Sequence, residues 1–462
     1  MNAIIISALW GIILMLCAVF IKNKKLPGYI AIAGVLILIL SNQYEFFAGP
    51  FFNINTRDFF RVDSLGLLIN TVALVCTLIL FLLNGNEIES IGSHVAEYFS
   101  LIFFVLCGVS VCSSYNTLWM LFLGLELISV PLYILVGSDK TNLKGNEASL
   151  KFFLIGMFMT AVLLLGIAFI YGGNSLGSFS INFFDMGKGH MPILIASGLI
   201  LLFIAMSFRA SAVPFHFWAP DVYDGAPAPI GSLMATIVKA GVFIAFLRLF
   251  ENSFAAAHHE WQPLVVIVIA ATLFIGNIAA VFQQSVKRML AYSAIAQSGF
   301  MMFAIFAINA PAEEGLLLYL TVYSLATIGM FAIVSKMPDY TLDGFRGLGK
   351  AHPWLGFSAT VFLLSLTGIP LTGGFTAKFY MLWAAVRDGY HFWLVVFALL
   401  CVAISSFYYF RVIQAIYFKK PESDPAEPIQ ISRGFKWTLS FIMFIIILLG
   451  IAPNLLIDWI YY

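Results

Sequence analysis

The sequence predicts an all-α protein that crosses a membrane many times. Of its 462 residues, 61% are hydrophobic and only 10% are charged, whereas soluble domains carry about 25% charged residues. Apolar stretches long enough to span a bilayer, about 20 residues each, follow one another along the chain with short loops between them. We therefore expect residues 1–462 to form a single integral membrane domain.

Fourteen spans are predicted on this criterion. Each is a mostly apolar stretch, and span 12 is interrupted. In chain order, the spans are 3–21, 28–43, 64–83, 98–113, 116–136, 151–171, 192–213, 229–250, 262–282, 289–308, 315–334, 357–386, 391–417 and 436–459.

The loop charges predict the orientation of these spans, because cytoplasmic loops carry an excess of Lys and Arg. Fifteen basic residues follow odd-numbered spans: Lys22, Lys24, Lys25, Lys140, Lys144, Lys151, Lys287, Arg288, Lys336, Arg346, Lys350, Lys419, Lys420, Arg433 and Lys436. Five follow even-numbered spans: Arg57, Arg61, Lys188, Arg248 and Arg387. The odd-numbered loops should be cytoplasmic, which places both chain termini outside.

Span 5 carries a carboxylate, Glu126, in the middle of LWMLFLGLELISVPLYIL. A charge at the centre of a bilayer costs roughly 2.5–3.5 kcal/mol on insertion scales, so it needs a partner or a role. Lys239 in span 8 and Lys378 in span 12 are similarly placed. A lysine balanced between burial and a nearby carboxylate can gain and lose a proton near neutral pH. The alternatives are a protonated, hydrogen-bonded glutamic acid and lysines that snorkel to the interface.

Span 7 ends in a polar, proline-rich break that reads FRASAVPFHFWAPDVYDGAPAP. Proline removes backbone donors and interrupts helices, and a broken helix survives in a membrane only where protein or water satisfies the freed groups. Arg209 precedes the break and is always protonated, so it can hold Glu126 ionised but cannot carry a proton. His216 lies within the break and suits a proton relay, or it satisfies freed backbone groups instead.

The polar residues within the spans predict an internal repeat. Span 12 is interrupted at 368–374, GIPLTGG, as span 7 is by its prolines. The two sets of polar residues have similar spacing: Glu126, Arg209 and Lys239, then Gln297, Lys378 and Arg411. Residues 98–250 (spans 4–8) and 262–417 (spans 9–13) would form two five-helix units, the second inverted because five is odd. Inverted repeats with broken helices are typical of ion transporters.

Other signals are weaker or absent. Arg411 lies near the cytoplasmic end of span 13 and could simply snorkel, and Lys151 at the start of span 6 is interfacial or lines a cytoplasmic intake. The five cysteines lie in apolar stretches without C-x-x-C spacing, as expected of core residues. We find no P-loop or dinucleotide motif and no metal-ligand spacing, and a net charge of +1 gives no reason to expect nucleic acid.

At PFHFWAPDVYDGAPAP (214–229) the sequence resembles the subunit N family of bacterial respiratory complex I, the proton-pumping NADH:quinone oxidoreductase. This family is related to subunits of Mrp-type Na⁺/H⁺ antiporters. The segments that share the resemblance are LGLELISVPLYIL (123–135), ASLKFFLIG (148–156), QQSVKRMLAYSAIAQSGF (283–300), DGFRGLGKAHPW (343–354) and TGIPLTGGFTAKFYML (367–382). The resemblance covers nearly the whole chain.

The resemblance implies that Glu126, Lys239 and Lys378 lie on a proton route, with Lys151 in a supporting role. This sequence departs from the family pattern twice: Arg209 replaces a frequent lysine, and Gln297 replaces a frequent histidine. We therefore expect a polar path of Glu126, Arg209, Lys239, Gln297 and Lys378, with His216 and Arg411 as supporting polar groups.

The resemblance also implies a setting. The chain would translocate protons in the bacterial cytoplasmic membrane beside other antiporter-like subunits and small membrane subunits of complex I. It would hold no cofactor or metal, since NADH, FMN, iron–sulfur clusters and quinone would belong to partner subunits. The alternatives are an Mrp-type Na⁺/H⁺ antiporter subunit and a structural membrane subunit without a transport role.

Overall fold

The computed structural model describes residues 1–20, 23, 25–52, 58–92, 94–174, 192–389, 391–420 and 431–462. This part of the chain contains helices and two isolated bridges, but no strand of a sheet, so the predicted all-α class is confirmed. Four of the basic loop residues used to predict orientation lie outside the described residues: Lys22, Lys24, Arg57 and Lys188.

Within the described residues we number eighteen α-helices. They are α1 Asn2–Phe20, α2 Leu26–Ala48, α3 Ser64–Ser90, α4 Val95–Cys112, α5 Leu118–Val136, α6 Leu143–Gly173, α7 Ile193–Arg209, α8 Trp218–Gly225, α9 Ala228–Ser253, α10 His258–Val281, α11 Val286–Ala307, α12 Ala310–Val334, α13 Leu348–Ala351, α14 Pro353–Thr367, α15 Gly373–Asp388, α16 Phe392–Tyr417, α17 Arg433–Ile451 and α18 Asn454–Ile457. Helix α9 includes two π-helical turns, Met234–Val238 and Leu249–Ser253.

Twelve of these helices are long and apolar enough to cross a membrane. Helices α7 and α14 are shorter: α7 makes up nearly all of predicted span 7, and α14 covers the first part of predicted span 12. Each is followed by another short helix, α8 or α15. The structure therefore has the predicted polytopic architecture, with both interruptions where the sequence places them.

Each interruption has a local cause. After Arg209 the chain passes through Ser211 at φ 60° and continues to α8, and α9 then begins with Pro229 in its first turn. A proline suits that position because the first helical N–H groups have no partner within the helix. In the second interruption, Gly368 follows α14 at φ 89°, a left-handed conformation that glycine adopts without strain.

The helices sort into a core and a periphery. The membrane windows of α9 and α12 are fully buried within the chain, and that of α11 is 94% buried. Helices α1, α6 and α17 are mostly exposed and present apolar side chains outward. Lys239 on α9 and Gln297 on α11 are thus on the innermost helices.

Two basic residues assigned to loops are instead buried, so those assignments are wrong. Arg248 lies inside α9 with its Nη2 2.5 Å from Asp63 Oδ1. Lys287 lies in the first turn of α11 and donates to the carbonyl oxygens of Asp224 (2.8 Å) and Ala226 (2.6 Å). Helices α9 and α11 therefore include a cation beyond their apolar stretch, because each cation bonds groups at the end of another helix.

Two span ends also differ clearly from prediction. Helix α6 begins at Leu143 rather than at 151, because the Asn142 side chain caps it by accepting from the Lys144 and Gly145 amides. Helix α17 ends at Ile451 and not at 459, since a residue before proline, here Ala452 before Pro453, avoids the helical conformation.

Candidate functional site

An ion pair joins the two charges predicted in spans 5 and 7. Arg209 Nη2 lies 2.8 Å from Glu126 Oε1. Thr160 on α6 completes a triangle, since its hydroxyl donates to Glu126 Oε1 at 2.7 Å and accepts from Arg209 Nη2 at 3.1 Å. The side chains of Arg209 and Glu126 are 9% and 18% exposed, so the pair lies at the edge of the bundle rather than at its centre.

Lys239 lies deep in the bundle, on the residue that follows the first π-helical turn of α9. It is 1% exposed, and its Nζ donates to Ser298 Oγ at 2.6 Å and to the carbonyl oxygen of Ala294. The Tyr323 ring centre lies 6.0 Å from Nζ. π-Helical turns inside α-helices are frequent at functional sites, and this one sets the rotation of α9 from which Lys239 projects.

A narrow cavity lies between Arg209 and Lys239, and both residues line it. Apolar side chains and the hydroxyl-bearing Ser129, Ser211 and Tyr223 form its remaining wall. The cavity has room for a water molecule. Arg209 and Lys239 therefore line one small, mainly apolar cavity and have no direct hydrogen bond to each other.

Gln297 is the centre of a neutral hydrogen-bond network. Its Nε2 donates to the carbonyl oxygen of Leu366 at 3.0 Å and to Tyr409 Oη at 3.2 Å. The Tyr319 hydroxyl donates to Gln297 Oε1, and Tyr409 Oη also bonds the Ser293 hydroxyl. Gln297 directly precedes Ser298 on α11, so the network begins beside the partner of Lys239.

Lys378 closes the far end of this network. Its Nζ donates to the carbonyl oxygens of Leu366 at 2.9 Å and Thr367 at 2.8 Å, at the C-terminal end of α14. The Leu366 carbonyl therefore accepts from both Gln297 and Lys378. The last carbonyl groups of a helix lack partners within the helix and carry a partial negative charge, so they favour a cation. The Phe300 ring centre lies 4.9 Å from Nζ.

The supporting residues lie further out. Lys151 is exposed and pairs with Glu147 at 2.8 Å and Asp221 at 3.1 Å, beside a cleft that Arg288 also lines. Arg411 Nη1 donates to the carbonyl oxygen of Val281 at 2.5 Å, so it caps the C-terminal end of α10.

His216 is 6% exposed, and its ring centre lies 4.6 Å from that of Phe217, with the two rings tilted by 32°. Its Nδ1 has no hydrogen-bond partner in the described part of the chain. Among the described residues, the side chains of His216, Lys151 and Arg411 have no hydrogen bond or ion pair with a residue of the polar path.

Sequence reasoning missed four members of the site: Thr160, Ser298, Tyr319 and Tyr409. Hydroxyl-bearing residues are common in apolar helices, where they bond the backbone of their own helix, so their presence carries no signal. Ser298 and Gln297 could have been found together because adjacent polar residues, Gln-Ser, interrupt an otherwise apolar stretch of span 10.

The arrangement suits the movement of protons. It offers one ion pair, two lysines with neutral partners, and hydroxyl and amide groups between them that can both donate and accept. Among the described residues, no group of three or more His, Cys, Asp and Glu could hold a metal ion.

Comparison with known proteins gives a consistent result. The family model described as NADH:quinone oxidoreductase/Mrp antiporter, TM, matches residues 115–405. NADH-quinone oxidoreductase subunit N of Cytophaga hutchinsonii is 36% identical to this chain and covers 99% of each protein. NADH-quinone oxidoreductase subunit N 1 of Solibacter usitatus is 33% identical, over 98% of this chain and 94% of its own length.

Solved structures extend the likeness to three dimensions. A chain of respiratory complex I from Thermus thermophilus superposes with a TM-score of 0.84 at 30% identity, covering 99% of this chain and 98% of that chain. A chain of the Mrp complex from Dietzia sp. superposes with a TM-score of 0.85 but is only 17% identical, over 99% and 96% of the two chains. The second match is a likeness of fold alone.

Proposed function

We propose that this chain, which belongs to the NADH-quinone oxidoreductase subunit N family, moves protons along the polar path Glu126, Arg209, Lys239, Gln297 and Lys378. As a member of that family it is a proton-pumping membrane subunit of NADH-quinone oxidoreductase. The Mrp-type antiporter subunits, the alternative considered from the sequence, are only distant relatives of this chain. The roles assigned below to single residues are our proposal.

The burial of Lys239 and Lys378 carries the proposal. Both are nearly inaccessible in the bundle, at 1% and 6% exposure, and among the described residues neither lies within 4.0 Å of a carboxylate. An ammonium group without a countercharge is costly at membrane depth. A neutral amine is tolerated there, and a lysine that alternates between the two forms can carry a proton.

The contacts suggest an order of events. Glu126 lies at the edge of the bundle, where a neighbouring subunit can reach the ion pair. When that pair loosens, the Arg209 charge acts more strongly on Lys239 across the cavity, and repulsion between like charges favours loss of the Lys239 proton. Ser298 then accepts from, or donates to, the lysine according to its protonation state.

The proton continues towards Lys378 through the neutral network. Gln297 cannot titrate, but it holds the Leu366 carbonyl and the two tyrosine hydroxyls in line, and water beside these groups would carry the proton. Lys378 receives it at the end of α14, where the carbonyl groups favour the charged form.

The setting completes the proposal. The bacterial relatives support a location in the bacterial cytoplasmic membrane, and the excess of Lys and Arg in odd-numbered loops supports an orientation with both termini outside. NADH, FMN, iron–sulfur clusters and quinone would be bound by partner subunits of the complex. The partners in the membrane would be other antiporter-like subunits and small membrane subunits.

A native gel and a transport assay test the proposal together. The chain should migrate with a multi-subunit NADH-quinone oxidoreductase in mild detergent, and vesicles holding that complex should acidify when NADH is added. Acidification should not depend on Na⁺. A chain that migrates alone, or transport that requires Na⁺, would contradict the proposed function.

A further inference from the structure

A second cavity lies apart from the polar path. Four helix ends meet there: the start of α2, the end of α3, the end of α12 and the start of α17. The loop charges predict that this end faces the cytoplasm. No residue of the polar path lines the cavity.

The lining is layered along the membrane normal. Charged and polar groups lie at the helix ends, and apolar side chains lie deeper. The outer layer contains Lys25, Asn86, Glu89, Lys336 and Ser432, and the deeper layer contains Ile32, Phe81 and Leu82. Glu89 and Leu82 are seven positions apart on α3, so the two layers are separated by about 10 Å.

The deeper layer opens to the outer surface of the chain. Leu82 is 49% exposed and Tyr29, at the mouth, is 68% exposed. An apolar wall with a charged rim at the depth of the membrane interface fits an amphiphile whose chains lie against the wall and whose polar head lies at the rim.

The rim carries charges of both signs. Lys25 and Lys336 are its cations, and Lys336 Nζ also contacts Glu87 Oε1 and lies 5.4 Å from the Phe435 ring centre. Glu89 is an anion: a Cβ at position 28, in the first turn of α2, would lie 2.8 Å from its Oε1, so the carboxylate rests against that turn.

Beside the rim, a buried carboxylate oxygen has no donor. Glu87 Oε2 has no hydrogen-bond partner in the described part of the chain. Glu87 does not line the cavity, so Glu89 is the carboxylate that a ligand at the rim would meet.

We propose that this cavity binds a phospholipid with an ethanolamine head group. The phosphate would bind Lys25 and Lys336, the primary ammonium would donate to Glu89, and an acyl chain would lie against Ile32 and Leu82. A choline head group has no N–H donor, and an anionic glycerol head group brings no cation to the Glu89 carboxylate. The two signs of charge thus select the zwitterionic head group with a primary amine.

Photolabelling of the purified complex tests this site. Three probes with the same diazirine-bearing acyl chain would be used, with ethanolamine, choline or glycerol head groups. Peptides from 81–92 and 433–451 should be labelled about tenfold more by the ethanolamine probe, since hydrogen bonds to charged groups contribute that much. Equal labelling by the three probes, stronger labelling by the glycerol probe, or no labelling there would overturn the proposal.

Variants separate a specific site from general lipid contact. Glu89→Gln should reduce ethanolamine labelling to the choline level, whereas the control Glu97→Gln, at an exposed carboxylate on the first turn of α4, should leave it unchanged. If Glu89→Gln prevented assembly, Lys25→Ala on the exposed loop would serve, and it should lower labelling by both phospholipids of net zero charge. Unchanged labelling in the assembled variant would overturn the site.

Discussion

Each of the two helix interruptions leaves backbone carbonyl groups without a partner in the helix, and different side chains bond those groups. Between α7 and α8, the indole of Trp218 donates to the Phe208 carbonyl at 3.2 Å, and Arg209 turns away to pair with Glu126. Between α14 and α15, the freed carbonyl groups of Leu366 and Thr367 hold the Lys378 ammonium itself. At the first interruption the cation, Arg209, pairs with a carboxylate. At the second, the cation, Lys378, donates to helix carbonyl groups.

This difference separates a fixed charge from an exchangeable one. A guanidinium stays protonated at any working pH, and its carboxylate partner holds it in place. A lysine on neutral carbonyl groups can lose its proton without leaving an unpaired carboxylate behind. We infer that the Glu126 and Arg209 region sets the electric field, whereas the Lys239, Gln297 and Lys378 region carries protons.

Removing the inner lysine should have the largest effect. Lys239→Ala takes away the proposed carrier, and the Ala294 carbonyl keeps Ser298 as a donor at 3.0 Å, so the helix should remain intact. We expect NADH-driven proton pumping to fall at least tenfold, roughly the low end of a proton-transfer contribution, while the complex assembles. Lys350→Ala, at an exposed lysine, is the matched control. Pumping above half of the control rate would show that Lys239 is not on the route.

Lys378→Ala should lower both pumping and stability. It leaves the Thr367 carbonyl without the donor seen here, which costs about 1–3 kcal/mol if the group stays buried. Thermal unfolding of the purified complex should therefore shift downwards in Lys378→Ala but not in Lys239→Ala. If the two variants had equal unfolding temperatures, the helix-capping role of Lys378 would be refuted.

The ion pair should behave as a unit. Arg209→Ala strands the Glu126 carboxylate, which costs roughly 3–5 kcal/mol when one member of a buried pair is removed, and the partial exposure of Glu126 places the effect at the low end. Complex yield should fall in Arg209→Ala and recover in part when Glu126→Gln is added. A double variant no better than Arg209→Ala would argue against the pairing.

The smallest effect is expected at Gln297. Gln297→Leu removes the amide that aligns Leu366 and Tyr409, so pumping should fall by about two- to tenfold, equivalent to one or two neutral hydrogen bonds. Gln297→His restores a polar group and should pump close to the unmodified rate. Full pumping by Gln297→Leu would remove the neutral network from the route.

The span pattern could be predicted from the sequence because bilayer thickness and hydropathy alone determine it. The charged members of the site, Glu126 and Lys239, could also be predicted, since a charge in an apolar stretch is conspicuous. The rest could not. Thr160 and Tyr319 act through contacts between distant helices, and the buried positions of Arg248 and Lys287 depend on carbonyl or carboxylate partners elsewhere in the chain.

The inverted repeat stays a prediction. The structure shows a difference between two residues that the repeat would place at equivalent positions. Spacing alone equates Arg209 with Lys378. Arg209 is the last residue of α7, before its interruption, whereas Lys378 lies in the second turn of α15, after its own. Similar spacing therefore does not give these two cations the same local surroundings.

The central claim is that Arg209 is a fixed charge and Lys239 an exchangeable one, and one substitution at each residue tests it most directly. Arg209→Lys keeps the fixed charge beside Glu126, and Lys239→Arg keeps a charge but cannot release a proton. In vesicles of the reconstituted complex, NADH-driven proton pumping should persist in Arg209→Lys and be lost in Lys239→Arg. Full pumping by Lys239→Arg would contradict the assignment of fixed and exchangeable charge.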